Sequence, residues 1–258
     1  MRKSLLVLLL WAPLATALIA QPTERLGQVP QQAIQHFLLH NRILDSPQDL
    51  DNAPYIVAVQ GGRVLGANGE RIHARGSLDP AQPSYGIFRR GKAYIDPDTQ
   101  ELLGINANDI GTARFLLADN LTTLTVQRVT QEIRPGDRLL RAEPPVELAN
   151  LQAAKSAPFI EGQIIDIPRG ITQFGVLDAV TLNKGRRDGL VEGQLLTVIK
   201  TGATVRDALT GVPTRLPDER AGTLQVFRTY EKLSYALVLS ASRALAIRDR
   251  FEVAQQSQ

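Results

Sequence analysis

The sequence predicts a mainly β chain: two related, small β-barrel-like domains behind a short N-terminal helical segment. Three observations carry that reading. β-prone runs are punctuated by Gly-Gly, Asn-Gly and Asp-Pro turns, an internal near-repeat spans most of the chain, and helical periodicity is confined to its first fifth. The repeat rests on four landmarks. Gly91 and Gly202 are 111 residues apart, as are Asp96 and Asp207, and Gly111 and Gly222; Asp137 and Asp249 are 112 apart.

Taken in order, Met1-Arg2-Lys3 and the apolar run to Trp11, followed by Ala15-Thr16-Ala17, predict a secretory signal over residues 1–20, cut after Ala17 or Ala20. Residues 21–30 are polar, with two prolines and a glycine, and read as a linker. From Gln31 to Leu44, Ile34, Phe37, Leu38, Leu39, Ile43 and Leu44 fit one helical face, with a second short turn beginning near Pro47. Strands are then expected at Tyr55–Val59, Arg63–Leu65, Arg71–Arg75, Tyr85–Arg89, Gly111–Leu116, Leu121–Val129 and Leu139–Leu140, closing a first domain of residues 31–145. Asp96-Pro97-Asp98-Thr99 reads as a turn whose first aspartate accepts backbone N–H groups, so its carboxylates need no calcium to explain them. Residues 146–158, rich in Ala, Gln, Lys and Ser, form the linker to a second β domain at 159–254.

Composition narrows the function classes. The 258 residues contain no cysteine, which excludes disulfides, thiolate metal sites, cysteine nucleophiles and a lipidated N-terminal cysteine. Removing Arg2 and Lys3 with the signal leaves 27 basic against 26 acidic residues, a charge of +1, with the two signs interleaved. Nucleic-acid binding needs a basic patch, and none is visible. No later apolar run is long enough for a membrane span, so the mature chain is expected to be soluble in an extracytoplasmic compartment.

Catalytic motifs are missing as well. His36 and His40 lie four apart on the expected helix but lack the intervening glutamate of a zincin, and two imidazoles are too few for structural zinc; His73 has no partner in the pattern. No Gly-x-Ser-x-Gly elbow or phosphate loop is present. The expectation is therefore no enzyme, no metal and no cofactor. A hydrolase using a carboxylate pair from distant strands stays open, because such a pair leaves no spacing signal.

Candidate partner-binding residues come from two places. Arg186 and Arg187 sit on a loop bounded by Gly185 and Gly189, and guanidinium groups grip carboxylates bidentately. The same glycines also serve simply to bend a barrel, with the arginines facing water. Tyr235 and Leu237 alternate with Ala236 and Val238, so this strand is apolar on both faces: either it is central or its outer face meets something.

Several segments together support a resemblance. They are Ala53-Pro54-Tyr55-Ile56-Val57, Asn68–Gly76, Phe88-Arg89 with Gly91, Tyr94 and Asp96-Pro97, Gly111-Thr112-Ala113, Leu182-Asn183-Lys184-Gly185 with Asp188-Gly189-Leu190, and Leu216–Gly222. They resemble the C-terminal region of bacterial LysM-domain peptidoglycan-binding proteins, a family that includes type IV pilus secretin-associated members. The resemblance covers roughly residues 30 to 255. It implies a periplasmic, non-enzymatic scaffold or adaptor whose partner is an envelope protein such as an outer-membrane secretin. The chain departs from the family where the LysM module belongs: residues 21–30 leave no room for it, so no glycan-binding residue carries over. Peptidoglycan binding by a degenerate or missing module remains the alternative.

Overall fold

The computed structural model describes Ile34, Phe37, Leu38 and residues 41–61, 68–141, 159–167 and 173–253. The signal, both linkers, His36, His40 and the expected strand Arg63–Leu65 lie outside the described residues. The chain is mainly β.

Strands β1 (Asn41–Leu44), β2 (Tyr55–Val59), β3 (Arg71–Arg75), β4 (Ser84–Ile95), β5 (Leu102–Ala118), β6 (Thr122–Val129) and β7 (Arg138–Arg141) form a seven-stranded sheet. Its additional β5–β6 pairing joins the ends into a ring, β2-β3-β6-β5-β4-β7, with β1 added on β5. The ring closes where Tyr55 pairs with Arg138, reinforced by the Leu139 N–H donating to the Pro54 carbonyl at 2.7 Å. Inside lie Ile56, Ile72, Ile87, Ile110, Leu124, Val126 and Leu139, all almost fully buried. Closure removes the exposed edges that would otherwise template aggregation.

The second half repeats the plan. Strands β8 (Glu161–Asp166), β9 (Gln173–Phe174), β10 (Ala179–Leu182), β11 (Leu195–Lys200), β12 (Thr204–Arg206), β13 (Pro213–Arg215), β14 (Glu219–Thr229), β15 (Ser234–Ala241), β16 (Leu245–Ala246) and β17 (Arg250–Val253) follow. Six of them close a barrel, β8-β10-β15-β14-β11-β17, the cyclic order of the first ring strand for strand. Registers agree too. Gly111 faces Val129 and Gly222 faces Ala241, and the bulges at Thr112/Ala113 and Phe115/Leu117 recur at Thr223/Leu224 and Val226/Arg228.

The shared landmarks have shared jobs. Asp96 Oδ1 accepts the N–H groups of Asp98 and Thr99 at 2.9 Å, and Asp207 Oδ1 accepts those of Leu209 and Thr210 at 2.7 and 3.0 Å. Asp137 pairs with Arg89 at 2.7 Å as Asp249 pairs with Lys200 at 3.2 Å, and each also accepts the N–H three residues before it. Arg89 and Lys200 are again 111 residues apart.

One expected element is corrected. Ile34, Phe37 and Leu38 are helical, but Asn41–Leu44, the end of the predicted helix, form a strand, β1, paired with Ile105–Asn108 of β5. Asn41 Nδ2 donates to the Phe37 carbonyl at 3.0 Å. Ile43 and Leu44 then enter different apolar clusters on opposite faces, as neighbours in a strand must. Helical spacing and a short strand look alike over two apolar residues, and the unpaired edge of β5 decides between them. The expected turn at Pro47 is present as α1 (Pro47–Asp51), where the Ser46 hydroxyl accepts the Gln48 N–H at 3.2 Å and Leu50 is buried.

Each barrel also projects a hairpin arm. In the first, the outer ends of β4 and β5 meet at the Asp96 turn; in the second, β12 and β13 meet at the Asp207 turn. The two arms part company in their surroundings: the first is folded against the second barrel, whereas every residue of β12 and β13 is exposed.

Candidate functional site

The seam between the barrels concentrates the apolar and titratable side chains that the barrel interiors do not use. Its apolar part comes from four segments: Ile34 with Phe37 and Leu38, Ile43 of β1, Tyr94 and Leu103 of the first arm, and Phe227, Tyr230, Leu233, Tyr235 and Leu237 of the second barrel. β15 reaches it by alternation, since Ala236 and Val238 fill the barrel while Tyr235 and Leu237 point out. Phe227 reaches it through the bulge after Val226, which turns one extra side chain to the outer face. Phe37 meets the rings of Phe227 and Tyr235 edge-on, with centroids 5.7 and 4.9 Å apart.

Polar pairs surround this cluster. The Tyr94 hydroxyl donates to Asp166 at 3.2 Å, and Lys92 forms an ion pair with the same carboxylate. Burial and the adjoining Asp166 charge push the Tyr94 phenol well above its usual range, so it stays a donor. Asn183 Nδ2 donates to Asp96 Oδ2 at 2.9 Å, and Gln163 to Asp98 at 3.0 Å. Glu101 receives Arg187 through both oxygens, at 2.8 and 2.6 Å, and Lys232 at 2.8 Å.

These contacts set the protonation of the seam. Hydrogen bonds from Arg187 and Lys232 bring the Glu101 carboxyl down to about 2. For Asp96, burial pushes upward, but the N–H groups of Thr99 and Asp98 with the Asn183 amide outweigh it and leave the carboxyl below its ordinary value. Both are thus held ionised as acceptors, the state that binds amide and cationic donors. A shallow cavity of about 220 Å³ at the margin is lined by Asp96, Asp98, Gln163, Asn183, Lys184 and Arg250 among others. Among the described residues no group of three or more His, Asp or Glu side chains is disposed to hold a metal ion, and no helix is long and apolar enough to cross a membrane.

The four sequence-derived candidates divide. Tyr235 is 0% and Leu237 2% exposed, covered by the chain's own first arm and helical residues. The strand apolar on both faces does meet something, and that something is intramolecular. Arg187 grips a carboxylate bidentately, as its loop suggested, but the carboxylate is Glu101 of this chain. Arg186 lies 3.5 Å from Glu231 with most of its side chain in solvent. Gly185 has a tight structural duty, since a Cβ there would stand 2.6 Å from the Tyr230 and Glu231 carbonyls. Tyr94, Glu101, Asp166 and Asn183 escaped sequence reading because their partners lie more than 70 residues away. No family model and no curated protein matches this chain.

Proposed function

We propose that the chain is a periplasmic, non-enzymatic scaffold or adaptor of the bacterial cell envelope, working alongside a type IV pilus secretin. One observation carries the reading: the ionised and aromatic groups of the seam bind each other and fix two barrels in a set relation. That arrangement suits a protein that presents surfaces at a defined spacing. The signal-like N-terminus and the family resemblance supply the compartment and the class of partner.

The test is crosslinking in intact cells followed by identification of what is retrieved. Capture of an outer-membrane secretin with a chain that has lost Met1 supports the proposal. Retrieval of cytoplasmic proteins alone, with Met1 intact, overturns it. Sedimentation with purified peptidoglycan sacculi distinguishes the wall-binding alternative: an adaptor stays in the supernatant, and salt-resistant pelleting favours direct glycan binding.

A further inference from the structure

Strand pairing gives a residue-by-residue correspondence between the barrels. β4 and β5 map onto β11 and β14 at an offset of 111 and β6 onto β15 at 112; the arm turns at Asp96 and Asp207 also match at 111, while the β12–β13 pairing is shifted by one residue at Thr204 and Val205. In the first barrel Ala58 faces His73, Ile56 faces Ala74 and Tyr55 faces Arg75. In the second, Asp166 faces Thr181 and Ile164 faces Leu182, while the Asn183 N–H bonds to the Gln163 carbonyl, so β2 and β3 map at 108. The first arm sits on the β8-β10-β15 side of the second barrel. On the equivalent β2-β3-β6 side of the first barrel, among the described residues, Ala58 and Arg75 are exposed and Tyr55 and His73 half-buried, and Leu116 and Leu117 of the adjoining β5 are exposed.

Both sides of the seam's contacts have changed together. Lys92 and Asp166, an ion pair in the seam, correspond to Ala203 and Ala58. Asp98 and Gln163, a hydrogen-bonded pair, correspond to Leu209 and Tyr55. Asp96 and Asn183 correspond to Asp207 and Arg75, an acid on the arm and a base on the barrel. Phe227, turned outward by its bulge, corresponds to Leu116, turned outward by the same bulge and 47% exposed. The second arm carries Val205, Leu209, Val212 and Leu216 into solvent, Leu209 at 97% exposure. The exposed Leu209 and the half-buried Tyr55 leave apolar area to cover, and Asp207 and Arg75 are opposite in charge.

We infer that the second arm of one copy docks on the first barrel of another, repeating between chains the arm-on-barrel contact made within each chain. Leu209 lies against Tyr55, Ala203 against Ala58, and Asp207 pairs with Arg75. The interface is heterologous, so copies add head to tail into a ring or an open row. This goes beyond the adaptor reading and is tested on the purified chain alone.

The cysteine-free sequence makes the test direct. Ala58→Cys and Ala203→Cys place one thiol on each surface, and because the equivalent seam pair is a lysine reaching an aspartate, a short bis-maleimide crosslinker rather than a direct disulfide spans them if the contact forms. With that crosslinker the double variant should give a ladder of linked multimers, and an equimolar mixture of the single variants a heterodimer well above either single variant's own dimer. Arg75→Glu and Leu209→Glu alter exposed side chains, so folding should persist by circular dichroism while self-association in sedimentation weakens about tenfold or more, the equivalent of 1.4 kcal/mol. A chain that stays monomeric at its highest soluble concentration overturns the inference. So does association that both glutamate variants leave unchanged, with no Ala58→Cys to Ala203→Cys link.

Discussion

Glu101, on the arm of the first barrel, holds Arg187 of the second through two parallel hydrogen bonds of 2.8 and 2.6 Å. The pair is 86 residues apart in sequence and joins a turn of one repeat to a loop that the other repeat does not duplicate. Lys232 contributes a second cation to the same carboxylate at 2.8 Å, so one acidic side chain gathers two segments of the second barrel. Bidentate geometry fixes orientation as well as proximity. Its exposure means that salt screens it, and its role is to set the register of an interface whose affinity comes from the apolar cluster beside it.

The seam should loosen in acid. A carboxyl whose folded value lies below its unfolded one contributes stability that is present above the unfolded value and lost as pH falls through the folded one. For Glu101 those limits are 4.5 and about 2, and Asp96, also lowered, acts in the same direction. Thermal unfolding followed across that window should show a falling midpoint whose slope is shallower in Glu101→Gln. An identical slope in that variant would remove Glu101 from the account.

Neighbouring arginines should behave differently. Arg187→Glu sets a like charge against Glu101 and should speed proteolysis or hydrogen exchange along the seam, with both barrels still folded. Arg186→Glu, facing Glu231 from solvent, should change exchange little. Equal effects from the two variants would mean that general charge, rather than the bidentate contact, governs the seam.

How far the sequence reached follows from which contacts are local. Tyr55–Val59 and Arg71–Arg75 are strands residue for residue, because a β-prone run in one case and flanking turn formers in both mark them locally. The repeat was visible because turns carry fixed residue types, such as the aspartates that accept backbone N–H groups at Asp96 and Asp207. β1 was missed because its strand character comes from β5, more than 60 residues downstream. The outward apolar face of Tyr235 and Leu237 was legible as a face, but alternation carries no information about what covers it. Only comparing the repeats position by position separates a covered outward residue such as Phe227 from an uncovered one such as Leu116.

That pair gives a stability prediction. Phe227 is 0% exposed among Phe37, Tyr235 and their neighbours, so Phe227→Ala should cost about 3–5 kcal/mol, the usual range for a buried phenylalanine. The loss falls on the seam rather than on a barrel interior, so denaturant unfolding should split into two transitions. Leu116→Ala, at the equivalent place on the first barrel, should cost under about 0.5 kcal/mol in dilute solution. A single cooperative transition in Phe227→Ala would show that the barrels stay coupled without that ring.

Gly111 and Gly222 allow the duplication itself to be weighed energetically. Both lie in long strands at the bulge that bends β5 and β14, and neither needs a left-handed backbone. Their constraint is space: a Cβ would stand 2.2 Å from the Arg128 carbonyl oxygen at Gly111 and 2.5 Å from the Ser240 carbonyl oxygen at Gly222. The obstacle is backbone in each case, so an added methyl must push neighbouring strands apart, with an overpacking cost of about 1–3 kcal/mol. Gly136 provides the contrast. Nothing lies within 4 Å of its missing Cβ, but its φ of +93° makes alanine there a matter of backbone strain, about 1–2 kcal/mol. Denaturant midpoints should therefore fall in both Gly111→Ala and Gly222→Ala, and relaxing the surroundings by truncation should not rescue either, since the clash is with a carbonyl oxygen. In Gly136→Ala the midpoint should also fall, but β5–β6 amide exchange should quicken only in step with that global loss, with no extra local opening. If Gly222→Ala were neutral while Gly111→Ala unfolded the first barrel, the two bulges would share geometry without sharing the constraint, and the correspondence between repeats would end at the backbone trace.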